Sequence, residues 1–95
     1  MILVVATVRI EPGRAEAYEA ALAEIMPRIR AANPGILFYH AARSREEADT
    51  YRVVEAYADQ AAMDRHVSSA ALQDSLAGVM PLVAEIDIHL HDSVA

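Results

Sequence analysis

The segment Ile2–Ile10 constrains this chain more than any other. Its first part, Ile2-Leu3-Val4-Val5-Ala6, is apolar at consecutive positions; its second alternates, with Val8 and Ile10 against Thr7 and Arg9. Successive side chains of a strand point to opposite faces, so consecutive apolar residues require cover on both. A sheet built around this strand therefore needs helices on one face and something further on the other. The chain has 95 residues, which predicts one domain over 1–95. A domain of that size buries only about two-thirds of the surface its unfolded chain exposes. A second copy is the simplest cover for the remaining face, so a homodimer joined largely through the sheets is expected.

The hydrophobic period then changes along the chain. Glu11-Pro12-Gly13 breaks the strand. From Arg14 to about Ala32, Tyr18, Leu22, Ile25 and Ile29 form one helical stripe, with most of the glutamates off it and Arg28 and Arg30 near the C-terminal end. Pro27 conflicts with that helix and is expected to kink it or end its regular part. Asn33-Pro34-Gly35 is a turn. Ile36–Ala42 and Thr50–Tyr57 read as a hairpin of strands around the charged loop Arg43–Asp49. Asp59 is a good cap for a helix to about Val67, and Ser68 or Ser69 for another from Ala70 to about Gly78. After Pro81, Ala84–His91 alternates, Ile86, Ile88 and Leu90 against Asp87, His89 and His91, as a half-covered strand does. The order is β-α-β-β-α-β. It predicts an α+β, ferredoxin-like fold with a four-stranded antiparallel sheet and its helices on one face.

Composition excludes several kinds of chemistry. There is no cysteine, and all 8 basic residues are arginine. Thiolate nucleophiles, Cys-type metal centres and lysine Schiff bases are therefore ruled out. The net charge of −6 argues against nucleic acid and anionic membrane surfaces as partners. The RNA-binding modules that share this strand order stack bases on aromatic residues of their first strand, and this first strand has none. The three glycines are too scattered for a phosphate or dinucleotide loop, so no cofactor is expected. Met1–Ala6 has neither a basic flank nor a cleavage site, and no apolar run reaches the ~18 residues of a membrane span. A cysteine-free chain without such segments suits the cytoplasm.

Four groups of side chains could carry function. His66 falls on the stripe Asp59, Ala62, Met63, His66, the helix face that packs inward. On the third strand, Tyr51, Val53, Glu55 and Tyr57 share one face, and Arg52 and Val54 share the other. On the second, Leu37, Tyr39 and Ala41 alternate with Phe38 and His40. His89 and His91 project from one side of the last strand, but no third ligand joins them, and no metal is expected.

Several of these residues resemble one family. Val8-x-Ile10-x-Pro12-Gly13 opens the pattern, Pro34-Gly35 followed by Tyr39 continues it, and Glu55, Tyr57, Asp59, Ala62 and His66 close it at the characteristic spacing. Together they resemble the antibiotic biosynthesis monooxygenase domain over nearly the whole chain. The resemblance implies a homodimeric, ferredoxin-like α+β barrel. It also implies a choice among activities, since the family includes cofactor-free oxygenases of anthrones or quinols, haem-degrading enzymes and an isomerase of a phosphorylated compound. Tyr57 stands where a tryptophan is frequent, which makes Glu55-Ala56-Tyr57 more similar to the isomerase-like branch than to the tryptophan-bearing oxygenases, and Ala71 stands where a second histidine often follows. The first strand lacks the asparagine of the haem-degrading branch, and Ser75 stands where that branch has its axial histidine.

The expected function is a cofactor-independent monooxygenase acting with O₂ on a small phenolic or quinol substrate. His66 is the expected base or hydrogen bonder, Glu55 its orienter, Tyr39 and Tyr57 the pocket walls, and Asn33 and Arg52 further substrate contacts. The alternatives are an isomerase of a small carbonyl compound, with Arg43, Arg52 or Arg65 holding a phosphate, and a non-catalytic binding dimer.

Overall fold

The computed structural model describes all residues, Met1–Ala95. The elements follow in the order β1 (Ile2–Ile10), α1 (Ala15–Ala32), β2 (Ile36–Arg43), β3 (Thr50–Tyr57), α2 (Gln60–Val67), α3 (Ala70–Val79), a 3-10 turn (Met80–Leu82) and β4 (Val83–Asp92). The strands form one antiparallel sheet in the order β2-β3-β1-β4. This is the β-α-β-β-α-β arrangement read from the sequence, with the second helical segment split in two.

The helix starts obey local chemistry. The Asp59 side chain accepts a hydrogen bond from the Ala62 amide at 2.8 Å, and Ser69, rather than Ser68, caps α3 through the Leu72 amide at 3.1 Å. Each satisfies a backbone donor that the first helical turn would leave unpaired. Gly35 has a packing role. A Cβ there would lie 2.7 Å from the Ala62 Cβ, so the glycine lets α2 settle against the start of β2.

Three expectations need correction. Pro27 neither ends nor interrupts α1, which runs on to Ala32. Pro27 and Ala23, whose carbonyl loses its helical partner, are both on the exposed side of the helix. Water can satisfy that carbonyl, so the penalty of an interior proline is softened there. Leu37 does not share the buried position of Tyr39. The register slips between Ile36 and Phe38, and this bulge leaves Leu37 60% exposed. Finally, β4 is exposed on both faces, not half covered: Ile86, Ile88 and Leu90 are 39%, 56% and 58% exposed. The buried core lies elsewhere, between the helices and β1, β2 and β3.

The sheet register sorts residues onto two faces. On the helix side, one row crosses the sheet as Tyr39, Glu55, Val4 and Leu90, and the next as Ala41, Val53, Ala6 and Ile88. On the opposite side, the corresponding rows are Phe38, Ala56, Leu3 and His91, then His40, Val54, Val5 and His89. No element of the chain lies over this second face.

Candidate active site

A cavity of about 350 Å³ separates the helices from the sheet. That volume is in the range of small-molecule sites. Its floor is the helix side of the sheet, and its roof is formed by α1, α2 and α3. Nearly all of its wall is hydrocarbon, and its only ionisable side chains are Glu55, His66 and three tyrosines.

The polar end is assembled by β2, β3, α2 and the C-terminus of α1. Glu55 and Tyr39 are register partners on adjacent strands. His66 is 3% exposed, because its position on the inward stripe of α2 carries the ring down toward them. The His66 Nε2 stands 3.6 Å from a Glu55 carboxylate oxygen. On the other side of the ring, the Asn33 amide nitrogen lies 3.4 Å from Nδ1. Asn33 terminates α1 and is itself buried. The Asn33 amide thus faces Nδ1 and the Glu55 carboxylate faces Nε2, and which ring nitrogen donates follows the tautomer. Nδ1 is within hydrogen-bond reach of Asn33, and Nε2 faces the carboxylate at ion-pair distance. Tyr39 meets the ring edge-on with centroids 5.8 Å apart, and Tyr57 lies 5.7 Å away at a tilt.

The tyrosines are held neutral. Burial pushes the Tyr39 and Tyr57 hydroxyls well above the ordinary phenol value, and the nearby Glu55 charge adds to the shift. Tyr57 is fully buried, and its hydroxyl has no hydrogen-bond partner. Leaving such a group unpaired costs about 1–3 kcal/mol. That makes it a donor ready for an oxygen atom brought in by a ligand.

His66, Glu55, Tyr39 and Tyr57 therefore line one cavity. Asn33, named from the sequence as a substrate contact, is instead the hydrogen-bond partner of His66. Arg52 does not belong to the site. The alternation of β3 puts it on the opposite side of the sheet from Glu55, where it pairs in register with Thr7. Arg43 pairs with Glu19 at the far edge of β2, and Arg65 lies on the exposed side of α2. No arginine lines the cavity. His89 and His91 lie on the uncovered face, away from it.

Sequence reading missed the aliphatic half of the site. Ile86, Ile88 and Leu90 border the cavity from β4, as do Val67 and Met80 from its rim. The period-two alternation of β4 marked the three strand residues as facing the helices, but nothing in it told a packed face from a cavity wall.

Comparison with known proteins agrees with this architecture. The sequence profile of the antibiotic biosynthesis monooxygenase family matches residues 1–77. No curated protein matches the sequence. Among solved structures, a Caulobacter crescentus protein provisionally named an antibiotic biosynthesis monooxygenase is 30% identical, with a TM-score of 0.93 over 99% of this chain and 90% of that one. A Pseudomonas aeruginosa protein is 26% identical, with a TM-score of 0.85 over 99% of this chain and 94% of that one. A Nitrosomonas europaea structure shares the fold at 16% identity, with a TM-score of 0.90 over the full length of both. No helix of this chain is long and apolar enough to cross a membrane. With its profile match over most of its length and a matching fold, the chain belongs to the antibiotic biosynthesis monooxygenase family.

Proposed function

We propose that this protein is a cofactor-independent monooxygenase of a small phenolic or quinol substrate. The observation that carries this reading is a carboxylate, Glu55, set with two neutral tyrosines at the buried end of an apolar cavity. An electron-rich ring enters such a space readily, and its hydroxyl is the only part that needs polar partners. Glu55 takes the phenolic proton. His66, with Asn33 beside its Nδ1, sets Nε2 3.6 Å from the carboxylate and keeps it aimed. This reading exchanges the roles expected from the sequence, with Glu55 as the base and His66 as its orienter. Tyr57 donates its free hydroxyl to the substrate oxygen.

The anion is itself the reductant. It passes one electron to O₂, and the ring radical and superoxide then combine to form a C–O bond. Loss of the ring hydrogen as a proton and cleavage of the O–O bond turn the ring C–H into C=O and release the second oxygen as water. One O₂ is consumed per ring, and no bound redox cofactor enters the balance. The hydrocarbon walls keep bulk water away from the anion. A phosphorylated isomerase substrate fits less well, because no arginine lines the cavity to meet an anion.

Oxygen uptake with 1,4-naphthalenediol tests the reading. We expect a protein-dependent rate above autoxidation, with one atom of ¹⁸O₂ in the product. Uptake equal to the protein-free control, with no label incorporated, would rule the activity out.

The working form is proposed to be a homodimer paired through the uncovered face. Leu3, Val5, Val54 and Phe38 lie on that face, and Phe38 is 48% exposed. These apolar side chains, set among His40, His89, His91 and Arg52 on the uncovered face, make it an interaction surface. Light scattering at micromolar concentration should give twice the 10.3 kDa chain mass. A monomer at that concentration would refute the dimer.

A further inference from the structure

We infer that the ligand of this cavity is an uncharged amphiphile. Its polar ring edge sits at Glu55, and it carries a saturated hydrocarbon arm that crosses β1 and lies along β4. The polar ring is taken from the monooxygenase reading; the arm is argued from the cavity alone.

The register lays the cavity floor out as a gradient. Glu55, Val4 and Leu90 form one row across β3, β1 and β4. Two strand spacings separate the carboxylate from Leu90, about 10 Å. The adjoining row is Val53, Ala6 and Ile88. Its centre is the smallest side chain of the floor, which deepens the passage between the polar end and β4. Beyond β1 the floor is wholly aliphatic. A single ring bonded at Glu55 ends near Val4 and Ala6 and leaves the β4 half of the cavity unfilled.

That half is also where the cavity opens. Ile88 and Leu90 are 56% and 58% exposed although they line it, and Val67 and Met80 on the rim are 56% and 43% exposed. These residues form an apolar trough continuous with the buried end, and none of their side chains can hold water by hydrogen bonds. Water in the trough is therefore readily displaced by hydrocarbon. Because no arginine lines the cavity, an arm ending in a carboxylate or phosphate finds no counter-charge before it reaches solvent.

The test is anaerobic binding of 1,4-naphthalenediol and of its 2-alkyl homologues with progressively longer straight chains, measured by calorimetry. Affinity should rise roughly fourfold for each methylene that enters the trough, the ratio matching about 0.8 kcal/mol per buried CH₂. It should level off once the chain emerges past the rim. Ile88→Ser and Leu90→Ser should flatten this slope. Both positions are exposed, so unchanged thermal unfolding will separate lost contact from lost fold. A flat dependence on chain length in the unaltered protein overturns the proposal. If, in addition, the serine variants dissociate a dimer in light scattering, a second copy covers the trough instead. Chain-length dependence without oxygen uptake supports the arm while removing the monooxygenase reading. Oxygen uptake with a flat slope does the reverse.

Discussion

Replacing Glu55 by glutamine should lower turnover by roughly 10²–10⁴-fold, the usual contribution of a positioned general base. The amide keeps the size of the carboxylate and can still face the His66 ring, but it cannot take a proton. His66→Gln should do less, on the order of tenfold, because the carboxylate remains and loses only its orienting partner. The two variants discriminate because only one of the two groups takes the proton in the proposed reading; His66 Nδ1 faces Asn33 and Nε2 faces Glu55. If His66→Gln falls as far as Glu55→Gln, the imidazole is the base, which needs the tautomer with Nε2 free of hydrogen. A ¹⁵N spectrum of the free protein reads that tautomer directly, and Asn33→Leu should shift it. Substrate affinity should survive in Glu55→Gln better than rate, since most of the cavity wall is hydrocarbon. Thermal unfolding measured on the same samples excludes a loss of folded protein as the cause.

Raising the pH from 9 to 12 should unfold this protein cooperatively. All 4 tyrosines of the chain are buried, and each has its hydroxyl held neutral beyond the ordinary phenol value of 10.0. Tyr18 is pushed up to about 12, first by burial and then by neighbouring Tyr51. Tyr39 and Tyr57 are pushed higher still by burial and by Glu55. Tyr51 is raised to about 12 by burial and by its hydrogen bond to Glu19. Because the folded values lie above the unfolded one, the native state holds more protons in this range. The associated stability is fully present below pH 10 and is lost as the pH climbs through the folded values. Each such group removes up to about 1.4 kcal/mol per pH unit. Tyr51 removes less, because its hydroxyl ends among the exposed Glu19 and Arg43, where solvent screens the charge. The other three together remove up to about 4 kcal/mol per pH unit, against a total stability of about 5–15 kcal/mol for a typical domain.

Tyrosinate absorbance and loss of far-ultraviolet circular dichroism should therefore rise together, well above pH 10. Tyrosines that ionise near pH 10 while the fold persists would contradict the argument. Tyr57→Phe removes a buried hydroxyl that has no partner. It should raise thermal stability at neutral pH and move the alkaline midpoint upward. It should also weaken substrate binding, the trade expected of a group left unpaired for a ligand.

Much of this molecule is legible in its residues. The change of period from two to helical and back specifies the order of strands and helices, because side-chain direction follows backbone geometry without help from distant contacts. Asp59 and Ser69 mark helix starts because a short polar side chain meets amides only two or three residues on. The spacing from Glu55 through Tyr57 to Ala62 and His66 places a strand face and a helix face toward one space, and the fold keeps it. The same alternation separates Arg52 from Glu55, a local fact that settles its place without any tertiary contact.

Other features depend on contacts between segments far apart in sequence. Asn33 ends a helix, and only the docking of α2 against Gly35 brings the His66 ring to its amide. The setting of the ring between Asn33 and Glu55, on which the proposed division of roles rests, follows from that meeting. The β2 bulge turns Leu37 outward because register is set by the partner strand. Pro27 is tolerated because the folded helix directs it and Ala23 toward solvent. The apolar side of β4 becomes a cavity wall, not core, because the helices pack over β1, β2 and β3 and leave β4 bare. A hydrophobic pattern records which side of a strand avoids water; whether a helix or an open space lies opposite is decided by how whole elements pack.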